Sequence, residues 1–159
     1  MCSNKIVNIT VSGLGGQGVL KITDILAEYF FEAGFDVKKS EVHGMSQRGG
    51  SVSSEVRYGT KVASPMIPEG ESDFLVVFDA TQVEVNQAKL RQGGVLITPA
   101  DIDESKINNK KTLNIAFLGA LSKHLDVDPE KLLAVALRYL PEKVHEVNRA
   151  AFQIGREGK

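Results

Sequence analysis

The feature that most constrains the fold is a short β-branched run that leads directly into a glycine-rich turn and then into a helical pattern. The run covers residues 6–12, and the turn at residues 13–18 reads Gly-Leu-Gly-Gly-Gln-Gly. Over residues 19–33 apolar side chains recur at helical spacing, and Gly34 is placed to end the helix. A strand-like segment follows at residues 35–42. This order predicts a βαβ unit with parallel strands and a right-handed crossover.

The rest of the chain continues the α/β pattern. Residues 51–58 alternate in polarity, which predicts a strand with one buried side. The apolar run at residues 74–78 is typical of a strand covered on both faces. The remaining predicted elements are a helix over 82–90 ended by a Gly93-Gly94 turn, a strand over 95–98, and helices over 114–125, 129–139 and 143–154. We therefore expect one α/β domain over residues 1–159, a three-layer α/β/α Rossmann-like domain with a mostly parallel sheet.

Charge and composition exclude several classes of function. The formal net charge of −1 gives no general argument for nucleic-acid binding, which depends on a basic patch, and the pairs Lys38-Lys39 and Lys110-Lys111 are interpreted as solvated. No apolar run approaches the ~20 residues of a membrane helix. The single cysteine, Cys2, cannot form an internal disulfide or supply the thiolates of a metal cluster. Because residues 1–5 show no signal peptide, we expect a cytoplasmic protein.

The glycine turn has two interpretations. Gly13, Gly15 and Gly18 fit the pattern G-x-G-x-x-G between a strand and a helix, which favours a nucleotide whose phosphate meets the helix amino end. Glu41 would then hold a ribose hydroxyl. Alternatively, the glycines only let the helix pack closely on the sheet. The Gln17 amide is suited to contact either a ligand or a neighbouring subunit.

A second polar loop follows the second predicted strand. It contains a possible proton carrier in His43, an amide in Gln47 and a bidentate anion clamp in Arg48. The alternative is that these side chains only fix the loop by pairing with Glu41 or Glu55. No nucleophile elbow, Walker lysine or metal-ligand cluster is present, which favours a subunit over an independent enzyme. The candidate ligand-binding residues are Gly13, Gly15, Gly16, Gln17, Gly18, His43, Gln47, Arg48 and Gly49.

Two motifs resemble a known family. Residues 11–18 (VSGLGGQG) and 40–52 (SEVHGMSQRGGSV) closely resemble the gamma subunit, or gamma domain, of the pyruvate/2-oxoacid:ferredoxin oxidoreductases. The form His-Gly-Met-x-Gln-Arg-Gly-Gly is most similar to the indolepyruvate branch, close to the ketoisovalerate gamma type. The resemblance covers about residues 6–99.

This resemblance implies a gamma subunit that supports oxidative decarboxylation of a 2-oxoacid to an acyl-CoA, with electrons passed to ferredoxin. It also implies that thiamine diphosphate and iron–sulfur clusters lie on the partner catalytic subunits, and that this chain alone is inactive and holds no catalytic residue. The glycine turn and the loop at residues 43–50 would meet coenzyme A or the catalytic subunits, with Arg48 as the first candidate for an anion contact. The alternatives are a Rossmann-like NAD(P)-binding protein and a non-catalytic assembly subunit.

Overall fold

The computed structural model describes residues 5–43 and 50–159 and shows five strands in one sheet. The strands are β1 (Val7–Leu14), β2 (Asp36–His43), β3 (Ser51–Gly59), β4 (Ser72–Val77) and β5 (Leu90–Ile97). The helices are α1 (Val19–Glu32), α2 (Val83–Asn86), α3 (Leu113–Ser122), α4 (Pro129–Arg138) and α5 (His145–Glu157). The prediction of an α/β fold is therefore confirmed.

The sheet is mixed, so the expectation of a mostly parallel sheet is wrong. The strand order is β2-β3-β1-β4-β5. The pairs β1–β4 and β4–β5 are parallel, whereas β3 is antiparallel to both β1 and β2. The predicted parallel pairing of β1 with β2 is also wrong, because β3 returns along the chain and lies between them. Strand β3 satisfies backbone groups on both neighbours, so β2 becomes an edge strand although it runs in the same direction as β1.

Helix α1 has the extent that its apolar spacing predicts. Its carboxyl end is closed by two backbone hydrogen bonds, from the Gly34 N–H to the Phe31 oxygen and from the Phe35 N–H to the Phe30 oxygen. The Phe30 ring stacks on the Tyr58 ring of β3 with 3.6 Å between centroids. This contact places α1 over the antiparallel half of the sheet. The buried residues of α1 are Val19, Ile22, Thr23, Ile25, Leu26 and Phe30.

The two faces of the sheet are covered differently. Helices α1, α3, α4 and α5 share one apolar core with the sheet face that carries Ile9 and Val11. The opposite face carries polar side chains, such as Thr10, whose hydroxyl lies 2.6 Å from the Ser72 hydroxyl. That face is covered by the segment 60–71 and the region of α2. For example, Arg57 donates to two carbonyl oxygens of this segment, at 2.9 Å each. The second covering layer is therefore mostly irregular rather than helical.

Strand β4 is buried on both of its faces, as its continuous apolar run predicts. Val76 points into the main core and is 1% exposed. Leu75 and Val77 pair in register with Thr10 and Ser12 of β1, so they lie on the polar face, yet both are fully buried. A strand with apolar residues on both sides suits this central position in the sheet.

Two glycines have a different role from the predicted one. Strand β5 begins at Leu90, so Gly93 and Gly94 lie within the strand rather than in a turn. The pairing of β4 with β5 is irregular here, and a Cβ on Gly94 would lie 3.0 Å from the Asp73 carbonyl oxygen. The preceding region, predicted as one helix, consists of 3₁₀ turns on either side of α2. The glycines therefore allow a bulge in an edge strand.

The carboxyl-terminal third forms the three predicted helices. Asp128 caps α4 by accepting hydrogen bonds from the N–H groups of Glu130 and Lys131, and Pro129 occupies the first turn, as predicted. Helices α3 and α5 approach so closely that a Cβ on Gly119 or Gly155 would overlap a carbonyl oxygen of the facing helix. Within the described part of the chain, no helix has the length and apolarity needed to cross a membrane.

Candidate functional site

Both sequence motifs lie at one edge of the sheet. Strands β1 and β4 end there, and the antiparallel strand β3 begins there, since Leu14 pairs with Ser51. The backbone of His43 pairs with Val52, which brings the carboxyl end of β2 to the same edge. In addition, the Gly15 N–H donates to the Gly50 oxygen at 2.9 Å. The glycine turn is thus hydrogen-bonded to the end of the second motif, at the sheet edge where α/β proteins bind ligands.

Most of the second motif lies outside the described residues. The predicted ligand residues Gln47, Arg48 and Gly49 belong to it, as does the side chain of His43. Their proposed contacts with a ligand, or with Glu41 and Glu55, therefore stay predictions. The structure does fix the two ends of the segment: Gly50 is hydrogen-bonded to the glycine turn, and His43 lies at the same end of the sheet on β2, two strands from β1.

The glycines of the turn divide into a packed group and an exposed group. A Cβ on Gly13 would lie 2.7 Å from the Gln17 side-chain oxygen and 3.1 Å from the Phe78 Cβ. Gly18 has φ +82°, and a Cβ there would overlap the side-chain nitrogen of Asn114. By contrast, Gly15 is exposed, and Gly16 has φ +91° with no atom within 4 Å of its Cβ position. Close packing explains Gly13 and Gly18, whereas the space at Gly15 and Gly16 is open to a ligand.

Gln17 braces the turn from inside. Its side-chain oxygen accepts from the Leu14 N–H at 2.7 Å, and its side-chain nitrogen donates to Asp79 Oδ2 at 3.1 Å. The other oxygen of Asp79 accepts from the hydroxyl and the N–H of Thr81, at 2.6 and 3.0 Å. The hydrogen bonds from the Thr81 hydroxyl, the Thr81 N–H and then Gln17 lower the pKa of the Asp79 carboxyl. Asp79 therefore fixes the turn from the end of β4, a role that the sequence motif did not predict.

The amino end of α1 is open. Its N-cap, Gly18, has no side chain to accept a hydrogen bond, and the first turn of α1 contains no acidic residue. The first hydrogen bond of the helix runs from the Ile22 N–H to the Gly18 oxygen, at 3.3 Å. The N–H groups that precede it have no acceptor within the helix, and they carry the positive end of the helix dipole.

A cleft of about 450 Å³ adjoins this helix end. We call it the lysine cleft, and its walls are Gly16, Gln17, Gly18, Lys21, Phe78, Lys110, Lys111, Leu113 and Asn114. The sequence identified Lys110-Lys111 only as a solvated pair. Both side chains are exposed, and they line the same cleft as the glycine turn although they lie 92 or more positions away from it in sequence. Lys110 and Lys111 reach the cleft because the chain returns to the glycine turn after β5, and no sequence pattern indicated this return.

The lysine cleft has a strongly positive character. It is lined by three lysines and by no acidic residue. Within residues 5–43 and 50–159, Lys21, Lys110 and Lys111 form no ion pair. Together with the open end of α1, these charges favour an anionic ligand.

The geometry does not reproduce a dinucleotide-binding site around Glu41. Strand β3 separates β2 from β1, which places Glu41 two strands away, or about 10 Å at ordinary strand spacing. Its carboxylate accepts from the Lys39 ammonium at 2.8 Å. Glu41 is therefore poorly placed to hold a ribose of a nucleotide bound at the glycine turn. As for metals, the described residues contain no group of three or more His, Cys, Asp or Glu side chains that could hold one.

Comparison with known proteins shows one family along nearly the whole chain. Residues 8–158 match the model of the pyruvate ferredoxin/flavodoxin oxidoreductase family. The indolepyruvate oxidoreductase subunit IorB of Thermococcus kodakarensis is 30% identical over 191 residues, an alignment that covers 95% of each chain. The 2-oxoglutarate synthase subunit KorC of Archaeoglobus fulgidus is 26% identical and covers 95% of this chain and 87% of its own.

Solved structures share the fold. The gamma subunit of a keto/oxoacid ferredoxin oxidoreductase from Geobacter sulfurreducens has a TM-score of 0.79 at 29% identity, covering 95% of this chain and 96% of its own. A 2-oxoglutarate:ferredoxin oxidoreductase from Magnetococcus marinus has a TM-score of 0.83 at 21% identity over 98% of this chain and 31% of its own, a likeness of fold. This chain belongs to the pyruvate ferredoxin/flavodoxin oxidoreductase family, and its relatives are subunits of 2-oxoacid:ferredoxin oxidoreductases.

Proposed function

We propose that this chain is the gamma subunit of a 2-oxoacid:ferredoxin oxidoreductase, in which it forms a single gamma-type domain. The complex would decarboxylate a 2-oxoacid oxidatively to an acyl-CoA and transfer the electrons to ferredoxin. The observation that carries the proposal is the match to nearly all of a gamma subunit from Geobacter sulfurreducens, in both sequence and fold.

The redox chemistry belongs to the partner subunits. With one cysteine, this chain cannot provide the four thiolates that usually hold an iron–sulfur cluster. We place thiamine diphosphate and the clusters on the catalytic subunits, and ferredoxin meets the complex there. The chain alone is inactive on this proposal, and its contribution is to binding and orientation.

Coenzyme A is the ligand that we assign to the glycine-turn edge of the sheet. The Magnetococcus marinus enzyme was solved with 2-oxoglutarate, coenzyme A and succinyl-CoA bound. In the present chain, the open end of α1 offers N–H groups to an anionic co-substrate, and the exposed Gly15 and Gly16 leave space for it. Arg48, on the segment that joins this edge, is the proposed bidentate clamp.

The assembly-subunit alternative is separated from this proposal by Arg48→Ala. If the loop at residues 43–50 contacts coenzyme A, the assembled complex retains its subunits and shows a higher KM for coenzyme A. A role limited to docking predicts the reverse: the complex dissociates more readily, and the KM of the remaining assembled enzyme is unchanged. The dinucleotide alternative is disfavoured by the position of Glu41.

The test of the proposal is affinity purification of the tagged full-length chain from its own host. We expect mass spectrometry to identify partner subunits that carry thiamine diphosphate and iron–sulfur clusters. The eluate should reduce ferredoxin with a 2-oxoacid in a reaction that requires coenzyme A. The untagged strain provides the control for non-specific recovery. A chain recovered alone, which binds NAD(P) saturably and has no such activity in its eluate, refutes the proposal.

A further inference from the structure

Strand β2 forms an edge of the sheet. The strand order places β3 on one side of β2, and among the described residues no strand pairs with its other side. All 8 residues of β2 pair with β3 without a shift in register, from Asp36↔Gly59 to His43↔Val52. In such a strand, about half of the backbone N–H and C=O groups point away from the neighbour. The outer side of β2 is therefore a regular template for a further strand.

Exposed apolar side chains flank this edge on both faces of the sheet. Phe31 of α1 is 71% exposed and lines a shallow surface cleft together with Val37 and Lys39 of β2. Val42 lies on the opposite face of the strand, because side chains alternate along it, and is 63% exposed. Exposed apolar area beside an unpaired strand favours contact with another protein chain.

The charges on β2 indicate which chain covers the edge. Lysine on an edge strand usually prevents pairing, so an added strand must match the lysines of β2. Lys39 and Glu41 lie on the same face of the strand, with 2.8 Å between Nζ and Oε1. A second copy of β2 that runs antiparallel to the first carries the same two charges in the reverse order. Each lysine of one copy can then lie opposite the glutamate of the other.

Only one extended register of β2 with its own copy matches these charges. A two-fold axis normal to the sheet keeps its faces continuous, so side chains directly opposite each other come from the same face of β2. With the axis at Ser40, Lys39 lies opposite Glu41 of the second copy. Lys38 then lies opposite Val42, whose exposed side chain the methylene groups of the lysine can cover. An axis at Lys38, Lys39 or Glu41 places like charges directly opposite each other, which is destabilising.

We infer that β2 pairs with β2 of a second copy of this chain, antiparallel about a two-fold axis at Ser40. The dimer would contain one continuous sheet of ten strands, five from each copy. Since the two copies run in opposite directions, their glycine turns lie at opposite ends of this sheet, and neither copy covers the turn of the other. This dimer does not depend on the proposed function, in which it would link two gamma subunits of one complex.

Sedimentation velocity of the full-length chain over a series of micromolar concentrations tests the pairing. We expect the wild-type chain to form a dimer whose population rises with concentration. Lys39→Glu and Glu41→Lys each place like charges opposite each other at two points, so each variant alone should weaken dimerisation at least about tenfold. An equimolar mixture of these two variants should form a heterodimer close to wild type in affinity, because two glutamates of one variant then face two lysines of the other.

A matched charge reversal separates the β2 contact from a general charge effect. Lys123→Glu changes an exposed lysine beside β5, at the opposite edge of the sheet, and should leave dimerisation unchanged. Unfolding midpoints of all variants establish that they are folded at the temperature of the measurement.

Cysteine cross-linking determines the register. In a Cys2→Ser background, Ser40→Cys places two thiols directly opposite each other at the axis, and mild oxidation should link the two copies. Lys38→Cys is the control, because its two thiols would lie about 13 Å apart along the strands, beyond the reach of a disulfide. The cross-link at position 40 should also form between two copies of this chain in the complex purified from the host.

Four results would overturn the pairing. They are a wild-type chain that stays monomeric at every concentration, equal weakening by Lys39→Glu and Lys123→Glu, and a cross-link at position 38 but not at position 40. The fourth is a cross-link from position 40 to a different subunit in the purified complex, since it would show that another protein covers the edge of β2. Recovery of an active oxidoreductase depends on none of these results, so the proposed function stands or fails separately.

Discussion

Replacement of Gly18 by alanine should be more damaging than the same change at Gly16, two residues earlier in the turn. Both glycines have a positive φ, +82° and +91°, which L-residues adopt only with strain. The two sites differ in their surroundings. A Cβ at position 16 would meet no atom within 4 Å, whereas one at position 18 would overlap the side-chain nitrogen of Asn114 and lie 3.1 Å from its Cγ.

The expected difference in stability between the two variants follows from the backbone strain that both share and from the overlap with Asn114 that only Gly18→Ala causes. Left-handed backbone strain should cost about 1–2 kcal/mol of the free energy of unfolding in either variant. In Gly18→Ala the Asn114 side chain must also move, which breaks its hydrogen bond to the Ile115 N–H and adds about 1 kcal/mol. We therefore expect about 2–3 kcal/mol for Gly18→Ala against about 1–2 kcal/mol for Gly16→Ala.

The assay is equilibrium urea denaturation of the full-length chain, with constant m values as the check on two-state behaviour. A double-mutant cycle isolates the contact, because Asn114→Ala removes the overlapping atoms. In that background, Gly18→Ala should cost no more than Gly16→Ala does in the wild type. If Gly18→Ala and Gly16→Ala prove equally destabilising, or if Asn114→Ala leaves the cost of Gly18→Ala unchanged, the packing of Asn114 on the turn is refuted.

Two further predictions concern the packing and the pH dependence. Gly155→Ala should destabilise the chain by about 1–3 kcal/mol in urea denaturation, because the added methyl overlaps the backbone of α3. The exposed substitution Gln153→Ala on the same helix should stay within about 0.5 kcal/mol, and equal effects of the two would contradict the close helix contact. The pKa of the Asp79 carboxyl is lowered from 3.8, chiefly by the Thr81 hydroxyl, so its stabilisation is complete above pH 3.8 and is lost as pH falls through the folded-state value. Asp79→Asn should therefore lower the urea midpoint of unfolding at pH 7, and this effect should become smaller below about pH 3.8. A difference in urea midpoint that is the same at all pH values would show that the charge of Asp79 does not stabilise its contact with Gln17.

The local elements were predictable because their signals lie within a few residues of one another. The apolar spacing before Gly34 gives the length of α1, and Asp128-Pro129 gives the start of α4. The end of α1 and the start of α4 are both determined by short-range hydrogen bonds. The same is true of the glycine turn, whose place between strand and helix is visible in the sequence.

The order of the strands was not predictable from such signals. Whether β2 pairs with β1 or with β3 depends on contacts between distant segments, and the alternation of residues 51–58 is compatible with either arrangement. The glycine pair Gly93-Gly94 was misplaced for a similar reason. A glycine pair in a sequence is typical of a turn. The other reason for glycine here, the close approach of a neighbouring strand to its backbone, is visible only in the structure.

Half of the candidate site was visible in the sequence and half was not. Gly15 and Gly16 carry a motif, whereas Lys110 and Lys111 become significant only when the turn before α3 is placed against α1. Asn114 has no motif at all, and its burial beside Gly18 is a tertiary feature. A possible signal was the position of Lys110-Lys111 just before a predicted helix, since basic residues are unusual at the positive end of a helix dipole.

The most direct test of the proposed subunit role is ferredoxin reduction by the catalytic subunits, measured with and without this chain. The subunits recovered from the host would be depleted of the chain and then reconstituted with the wild-type protein or with Arg48→Ala. We expect coenzyme A-dependent oxidation of a 2-oxoacid to require the wild-type chain, and the Arg48→Ala variant to restore it with a raised KM for coenzyme A. Full activity of the depleted subunits, with an unchanged KM for coenzyme A, would contradict a role for this chain in the oxidoreductase.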